Sequence, residues 1–319
     1  MRSLLFLISY FLFSTAGAQS LTLVELNCEN LFDCRHDSLK QDTEFLPEGV
    51  RHWTRPRYWH KLNSISQEIL SCSEELPDLV ALCEVENDSV LHDLTRRSLL
   101  RTLGYDYLMT ESADPRGIDV ALLYQPARFR PLCYEHIEVP LVSDMPPTRD
   151  ILYVRGLTQT LDTLHVFIVH APSRRGGEKL SRPYRMQVVK VLGQWLARLG
   201  TADIIVAGDF NDYADSRPLR YLEQQGLANV TKSLRGRNGV GGTYRYQGHW
   251  GSLDHVLLSP SMACSVDTAY INDVPFLLEE EPRYGGLRPR RTYNGYRYQP
   301  QGFSDHLPLV VRFWREKTK

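Results

Sequence analysis

Apolar runs rich in branched and aromatic residues recur along the chain at positions 21–26, 79–83, 120–124, 151–157, 165–169, 203–207, 253–258 and 309–313. They are short and bounded by Gly, Pro, Asn or Asp, the signature of buried strands. Between them the spacing changes to three and four residues. Positions 58–70, 89–103 and 182–199 read as helices, and Met186, Val189, Leu192, Leu196 and Leu199 form one apolar stripe along the last. Strands interleaved with helices predict an α/β or α+β sandwich. No internal repeat and no low-complexity linker divides the chain, so one domain from residue 19 to the C-terminus is the simplest organisation.

Two stretches interrupt this pattern. Residues 51–61 mix basic with aromatic side chains. Residues 279–302 carry Arg283, Arg288, Arg290, Arg291 and Arg297 among Tyr284, Tyr293, Tyr296 and Tyr298. Long inserted loops are often functional. Arg beside Tyr suits a phosphate joined to a group that stacks, and it equally suits a loop packed by its own aromatics.

Polar residues that break the apolar runs carry the chemistry. The run 204–207 leads into Gly208-Asp209-Phe210-Asn211, where a carboxylate and an amide share one side by the two-residue period. Such a pair suits a hard cation or a positioned water. A calcium-binding EF-hand is excluded, because Ala214 and Arg220 stand where that loop needs Gly and Glu. Phe303-Ser304-Asp305-His306 precedes the last strand, and a His there is suited to proton transfer near neutral pH. Asp254 and Glu84 sit in otherwise apolar strands. A buried carboxylate is costly unless paired, so Asp254 calls for a partner such as a His from another loop, and Glu84 for a cation. Two more strands end at Asn27 and at His170. Six strands ending in Asn, Glu, His or Asp converge on one metal-and-histidine site.

The chain has 319 residues, 42% hydrophobic and 24% charged, with a formal net charge of −1. That balance gives no global positive field for coating nucleic acid, while leaving room for a local basic cleft. Arg2, the apolar run 4–13 and Ala16-Gly17-Ala18 form an export signal with a small-residue cleavage site. The run is too short for a hydrocarbon core, which takes about 20 residues. The expected mature chain starts at Gln19 in the periplasm or outside the cell. Six cysteines follow, at 28, 34, 72, 83, 133 and 264, and an oxidising compartment makes bridges plausible without choosing among pairings. Strand alternation puts Asn27 and Glu84 on the site side, so Cys28 and Cys83 are expected on the opposite side, close together if their strands are neighbours.

In this order and spacing, Asn27, Glu84, Arg116-Gly117-Ile118-Asp119-Val120-Ala121, His170, Gly208-Asp209-Phe210-Asn211, Ser252-Leu253-Asp254 and Ser304-Asp305-His306 resemble the endonuclease/exonuclease/phosphatase superfamily, over nearly the whole mature chain. The resemblance implies an exported bacterial member with a four-layer α/β/β/α sandwich of two mixed sheets flanked by helices. It implies one or two Mg²⁺ or Mn²⁺ ions held by Glu84 with Asn27 and Asp305 close by. Asp209 and Asn211 are then expected to position the attacking water and the phosphate. His306, oriented by Asp254, is expected to act as general base or to hold the phosphate. His170 is expected to contact the phosphate or protonate the leaving oxygen. Arg116, Arg174, Arg291 and Tyr293 are candidate substrate contacts. The implied substrate is a phosphate ester (nucleic acid, nucleotide or phosphorylated headgroup), with an exported endonuclease or phosphodiesterase foremost. A phosphatase, or a lipid or small-molecule phosphodiesterase, on the same fold is the alternative. A catalytically silent binding module is disfavoured because Glu84, Asp209 and His306 are all present.

Overall fold

The computed structural model describes residues 19–160 and 162–315; the expected export segment, residues 1–18, lies outside them. The first six-stranded sheet runs β13 (Val266–Ile271), β18 (Leu309–Arg315), β1 (Gln19–Leu31), β2 (Leu79–Val85), β4 (Asp119–Tyr124) and β3 (Asp106–Met109). The second runs β5 (Phe129–Ile137), β6 (Ile151–Thr158), β7 (Thr163–His170), β8 (Asp203–Asp209), β12 (Asp254–Leu258) and β9 (Ala228–Asn229). Each sheet holds one parallel pair, β1 with β2 and β7 with β8, between antiparallel flanks. A parallel pair needs a crossover, supplied here by α1 (Arg55–Leu70) and α3 (Glu178–Leu199). The shorter helices are α2 (Asp88–Arg96), α4 (Arg217–Gln224) and α5 (Pro260–Ala263). Three small hairpins complete the chain: β10 (Tyr244–Tyr246) with β11 (His249–Gly251), β14 (Leu278–Glu280) with β15 (Leu287–Pro289), and β16 (Tyr293–Asn294) with β17 (Arg297–Tyr298).

The sheets stack face to face. Leu21, Leu23, Leu79 and Ala81 from one meet Val154, Val166, Ile205, Ala207 and Val256 from the other in a single buried cluster. The opposite face of the first sheet, with Val24, Leu26, Val80 and Leu82, packs on Leu62, Ile65 and Ile69 of α1 and on Val90, Leu91 and Leu94 of α2. The outer face of the second, with Phe167, Val169, Ile204 and Val206, packs on Val189, Leu192 and Leu196 of α3 and on Leu219 and Leu222 of α4. The result is the expected four-layer α/β/β/α sandwich.

Several local expectations change. The helix expected over 89–103 stops at Arg96, where the Ser98 backbone N–H turns back to the Asp93 carbonyl 2.9 Å away. The helix expected from residue 182 starts four residues earlier, with Pro183 accommodated inside it. Residues 279–302 are largely structured, carrying β15, β16 and β17. Their aromatics are used internally: the Arg51 guanidinium stacks over Phe45, Tyr293 and Tyr296, and Arg57 stacks over Tyr298.

Cys28 and Cys83 do not share a face. Cys28 belongs to the helix-facing cluster and Cys83 to the cluster between the sheets. The reason is a bulge at the end of β2, where Glu84 adopts φ +63° and the register to both neighbouring strands shifts. Alternation therefore breaks at Glu84, and Cys83, directly opposite Asn27, shares its inward face. All six cysteines are free thiols.

Beneath the site, α1 carries a buried ionic group. Lys61 donates to Thr292 Oγ1 at 2.6 Å and to the Phe303 carbonyl, with Glu29 3.9 Å away. Glu68 is fully buried and neither carboxylate oxygen has a hydrogen-bond partner. Burial raises its pKa to about 8, so the folded protein keeps it protonated at neutral pH. A folded-state pKa above the unfolded one gives stability that is complete below about pH 4.5 and is lost as pH rises towards 8. Glu68→Gln should therefore raise the melting temperature by a few degrees at pH 8.5 and by much less at pH 5. Thermal unfolding at both pH values measures this, and an equal shift at both would refute it.

Candidate active site

Both parallel pairs end at the same edge of the sandwich, and β12 and β18 begin there. On the inner faces the period of two carries apolar residues up to this edge and then stops at polar ones. Leu21 and Leu23 lead to Glu25 and Asn27; Val166 and Ile168 lead to His170; Ile205 and Ala207 lead to Asp209. Strand register brings the last members together, with Asp209 directly opposite His170 on one side and Asp254 on the other. Gly208 makes the approach possible. At φ +145° a β-carbon there would stand 1.9 Å from the Val169 carbonyl oxygen.

Asp209 is almost fully buried. Its Oδ2 accepts from Asn27 Nδ2 at 3.0 Å and from Asn211 Nδ2 at 3.3 Å; its Oδ1 accepts from the Asn211 backbone N–H at 2.7 Å. Burial and the nearby Asp254 carboxylate nevertheless raise its pKa to about 7. His306 Nδ1 lies 2.8 Å from Asp254 Oδ2 and 3.0 Å from Oδ1, and Thr243 donates to the same carboxylate. The Asp254 carboxylate thus has the histidine partner its sequence position calls for. Burial alone would strip a proton from His306. The carboxylates Asp254, Asp209 and Asp305 outweigh it and hold its pKa well above the ordinary histidine value. The Tyr244 ring lies against the imidazole, 4.8 Å between centroids. Asp209, Asp254 and His306 together offer ligand atoms within 4.8 Å of one another.

The second histidine is opposite in character. His170 is buried, and burial together with the Arg149 and Arg116 guanidiniums pushes its pKa well down, so it is neutral. Its Nε2 stands 3.8 Å from Glu84 Oε1 and 3.8 Å from Asp209 Oδ2, while Nδ1 has no hydrogen-bond partner. Glu84 Oε2 accepts from the Asn30 backbone N–H at 2.9 Å. Asp305 lies near Glu29, whose pKa is raised to about 7 by burial and by that neighbour. Glu84, Asp305 and the Asn27 side-chain carbonyl are hard oxygen donors of the type that suits Mg²⁺ or Mn²⁺, while the ligand atoms that the fold gathers within 4.8 Å of one another are those of Asp209, Asp254 and His306. The Asn27 amide keeps its Oδ1 turned back to the Glu29 N–H, 2.9 Å away, with one lone pair still available.

The candidate substrate contacts separate. Arg116 reaches the Asn30 side chain at 2.5 Å and acts on His170, so it borders the site. Arg291 acts on both Tyr244 and Glu29, which places it at the rim. Arg174 follows His170 by four residues and stacks over Tyr213. Tyr293 is buried in the aromatic cluster with Trp53 and Tyr298, its hydroxyl donating to the Arg51 carbonyl at 3.1 Å.

Other residues join the site without a motif. Glu25 lies beneath it, fully buried, with neither oxygen hydrogen-bonded. Burial and the Asp254 and Asp209 carboxylates raise its pKa well up, so it is a neutral acid. The two-residue step from Leu23 to Asn27 was the signal that could have found it. Arg149 had no such signal. It donates through Nε to the His170 carbonyl at 3.2 Å, through Nη2 to the Ala171 carbonyl at 2.7 Å and through Nη1 to Asp114 at 2.9 Å. Asp114 in turn accepts from the Arg116 N–H at 2.8 Å, so one clamp fixes both His170 and Arg116. Arg149→Met should cost about 3–5 kcal/mol, because it strands the buried Asp114 carboxylate. Asp114→Asn in the same chain should recover part of that loss. Urea unfolding of both variants tests it, and a loss under about 1 kcal/mol in the single variant would show that the clamp carries no load.

The sequence matches the model of the Endonuclease/Exonuclease/phosphatase family over residues 22–315. No curated protein sequence matches the chain. Among solved structures it is similar to an endonuclease/exonuclease/phosphatase family protein of Bacteroides thetaiotaomicron, with 17% identity, 93% of this chain and 98% of that one covered, and a TM-score of 0.63. A mannosyl-6-phosphatase of the same organism gives 17% identity, 91% and 98% coverage and a TM-score of 0.62. The catalytic domain of human nocturnin with a bound sulfate gives 18%, 92% and 94%, and 0.55. At these identities the likeness is one of fold.

Proposed function

Given that the chain belongs to the endonuclease/exonuclease/phosphatase family, a family of phosphoester hydrolases, we propose that it is an exported Mg²⁺- or Mn²⁺-dependent phosphoesterase working at the Glu84–His170–Asp209–Asp254–His306 edge. One observation carries the reading. Two histidines share one site in opposite surroundings: His306 Nδ1 lies 2.8 Å from the buried Asp254 carboxylate, which raises its pKa, whereas that of His170, 3.8 Å from both Glu84 and Asp209, is pushed down by burial and by Arg149 and Arg116. Titrating groups pushed apart in this way mark acid–base machinery. Export is supported by Arg2, the apolar run 4–13 and the small residues Ala16-Gly17-Ala18.

Asp209 is the group suited to take a proton from the attacking water, since a base works best with a pKa close to the operating pH. Asn211 and Asn27 fix its two oxygens and so fix the direction from which that water comes. His306, charged and tied to Asp254, faces the negative charge that builds on the phosphoryl oxygens. The neutral His170 offers a hydrogen bond to the phosphate without carrying charge. Glu84, Asp305 and Asn27 would hold the metal ion, which when bound supplies charge neutralisation at the phosphoryl group. Arg116 and Arg291 supply further positive charge at the rim.

An endonuclease is the second reading. A duplex-binding surface needs a track of free cations. Here the net charge is −1 and Arg174 pairs with Glu178 at 3.2 Å, which favours a single small phosphate ester.

The mature chain should hydrolyse bis-p-nitrophenyl phosphate or p-nitrophenyl phosphate with Mg²⁺ or Mn²⁺ and lose that turnover in EDTA. Glu84→Ala and His306→Ala should each lower kcat/KM by about 10²–10⁴-fold with the fold intact by circular dichroism. Metal-dependent nicking of plasmid DNA in the same assay would restore the nuclease reading, and turnover undiminished in EDTA would remove the metal from the mechanism.

The pH profile follows from the same shifts. Asp209 accepts a proton only when ionised, so kcat/KM should rise as pH passes through about 7. His306 must stay protonated, and its raised pKa moves the falling limb above the pH at which an ordinary histidine loses its proton. Asp209→Asn should abolish the rising limb along with most activity; a variant that keeps the limb would assign it to another group.

A further inference from the structure

Beside the catalytic edge opens a pocket of about 410 Å³, lined by Tyr213, Asp215, Lys232, Arg235, Gly241 and Ser252 among others. Its walls are sequence neighbours of the site. Tyr213 lies two residues beyond Asn211, Ser252 two before Asp254, and Gly241 two before Thr243, whose hydroxyl bonds Asp254. The position of the Tyr213 loop is set from below. Asp212 is buried and pinned by Arg185 Nε at 2.9 Å, and its backbone carbonyl meets His255 Nε2 at 3.0 Å. The Tyr213 ring passes so close to Gly251 that a β-carbon there would come within 2.4 Å of it. Tyr213 is 44% exposed, with the Arg174 guanidinium 4.7 Å from its ring centroid.

Positive charge in this corner is incompletely neutralised. Lys232 pairs with Glu223 at 3.0 Å and Arg174 Nη2 with Glu178 at 3.2 Å. Arg174 Nη1 is buried without a hydrogen-bond partner, and Arg235 pairs with no carboxylate among the described residues. Asp215 is the one carboxylate in the pocket wall. An aromatic face beside the Arg235 guanidinium, which has no carboxylate partner among the described residues, suits a flat or ring-shaped group that carries an anion, and the volume lies in the range of small-ligand sites.

We propose that this pocket is the subsite for the part of the substrate beyond the scissile phosphate, and that this part is a compact ring-bearing group with a second anionic substituent rather than a continuing nucleic-acid strand. The inference rests on the phosphoesterase reading of the adjoining edge. Tyr213 stacks on the ring, and Arg235 binds the second anion.

The test uses adenosine 3′,5′-bisphosphate and adenosine 5′-monophosphate as competitors of p-nitrophenyl ester turnover by the mature chain. The bisphosphate should inhibit at a concentration about tenfold lower than the monophosphate, the difference that one charge-assisted contact confers. Arg235→Glu, at an exposed position where folding is not at stake, should shrink that ratio to below about threefold, and Tyr213→Ala should weaken both inhibitors. Equal inhibition by the two nucleotides, a ratio unmoved by Arg235→Glu, or tighter inhibition by a single-stranded oligonucleotide would each overturn the proposal. Should the wild-type chain turn over neither p-nitrophenyl ester, the phosphoesterase reading fails by itself. Calorimetric binding of the bisphosphate to the wild-type and Arg235→Glu chains then decides the subsite alone, with the same ratio expected.

Discussion

Three carboxyl groups, Glu25, Asp209 and Asp254, are sunk into the open end of an apolar core with one imidazole, His306, among them. Everything else about the site follows from the cost of keeping them there. Buried like charges cannot all ionise at an ordinary pKa. One acid, Glu25, stays neutral; one, Asp254, is tied to the histidine; and Asp209 is left near the point of titration. The same burial, with Arg149 on the far side, keeps the other histidine uncharged. A site exposed to water would level these differences, so the depth of the cleft is itself the source of its acid–base asymmetry.

That arrangement demands rigidity, and the fold provides it through devices that are individually small. Gly208 lets β8 approach β7 at the pair that sets Asp209 opposite His170. The left-handed turn at Glu84 swings its carboxylate out of the strand's alternation and against the Asn30 N–H. The Arg149–Asp114 clamp ties the end of β7 to the loop carrying Arg116. Lys61, reaching up from α1, fastens the 292–303 segment that leads into His306. Helix, sheet and inserted segment are thus joined around the site by buried polar contacts, while the two apolar layers outside the sheets hold the helices in place.

The rim has a different character. Its cations are mostly engaged by neighbouring carboxylates or aromatics, and the segments rich in Arg and Tyr spend their side chains on one another. Arg235, without a carboxylate partner among the described residues, stands at the Tyr213 corner in the wall of a pocket whose lining residues are sequence neighbours of the catalytic edge. The proposed compact phosphorylated substrate rests on that pocket, more than on the amount of positive charge.

The sequence alone determined the strands and their order of chemistry. A run of apolar residues that ends in a single Asn, His or Asp already states where burial stops, so Asn27, His170 and Asp209 were legible as strand ends, Asp254 as a carboxylate in an apolar strand and His306 from the Asp-His pair before the last strand; the change of period pointed to an α/β or α+β sandwich, and its four layers to the family resemblance. Alternation failed where the backbone left the extended region. The turn at Glu84 put Cys83 and Cys28 on opposite faces of their sheet, and no pattern of side chains announces a positive φ at a glutamate. Only the tertiary structure decided the partners that come from far along the chain: Arg149 for His170, Lys61 for the 292–303 segment, and Thr243 and Tyr244 around the Asp254–His306 pair. It also decided the charge state of each group, since a pKa depends on burial and on neighbours brought together from all parts of the chain, and neither is a property of local sequence.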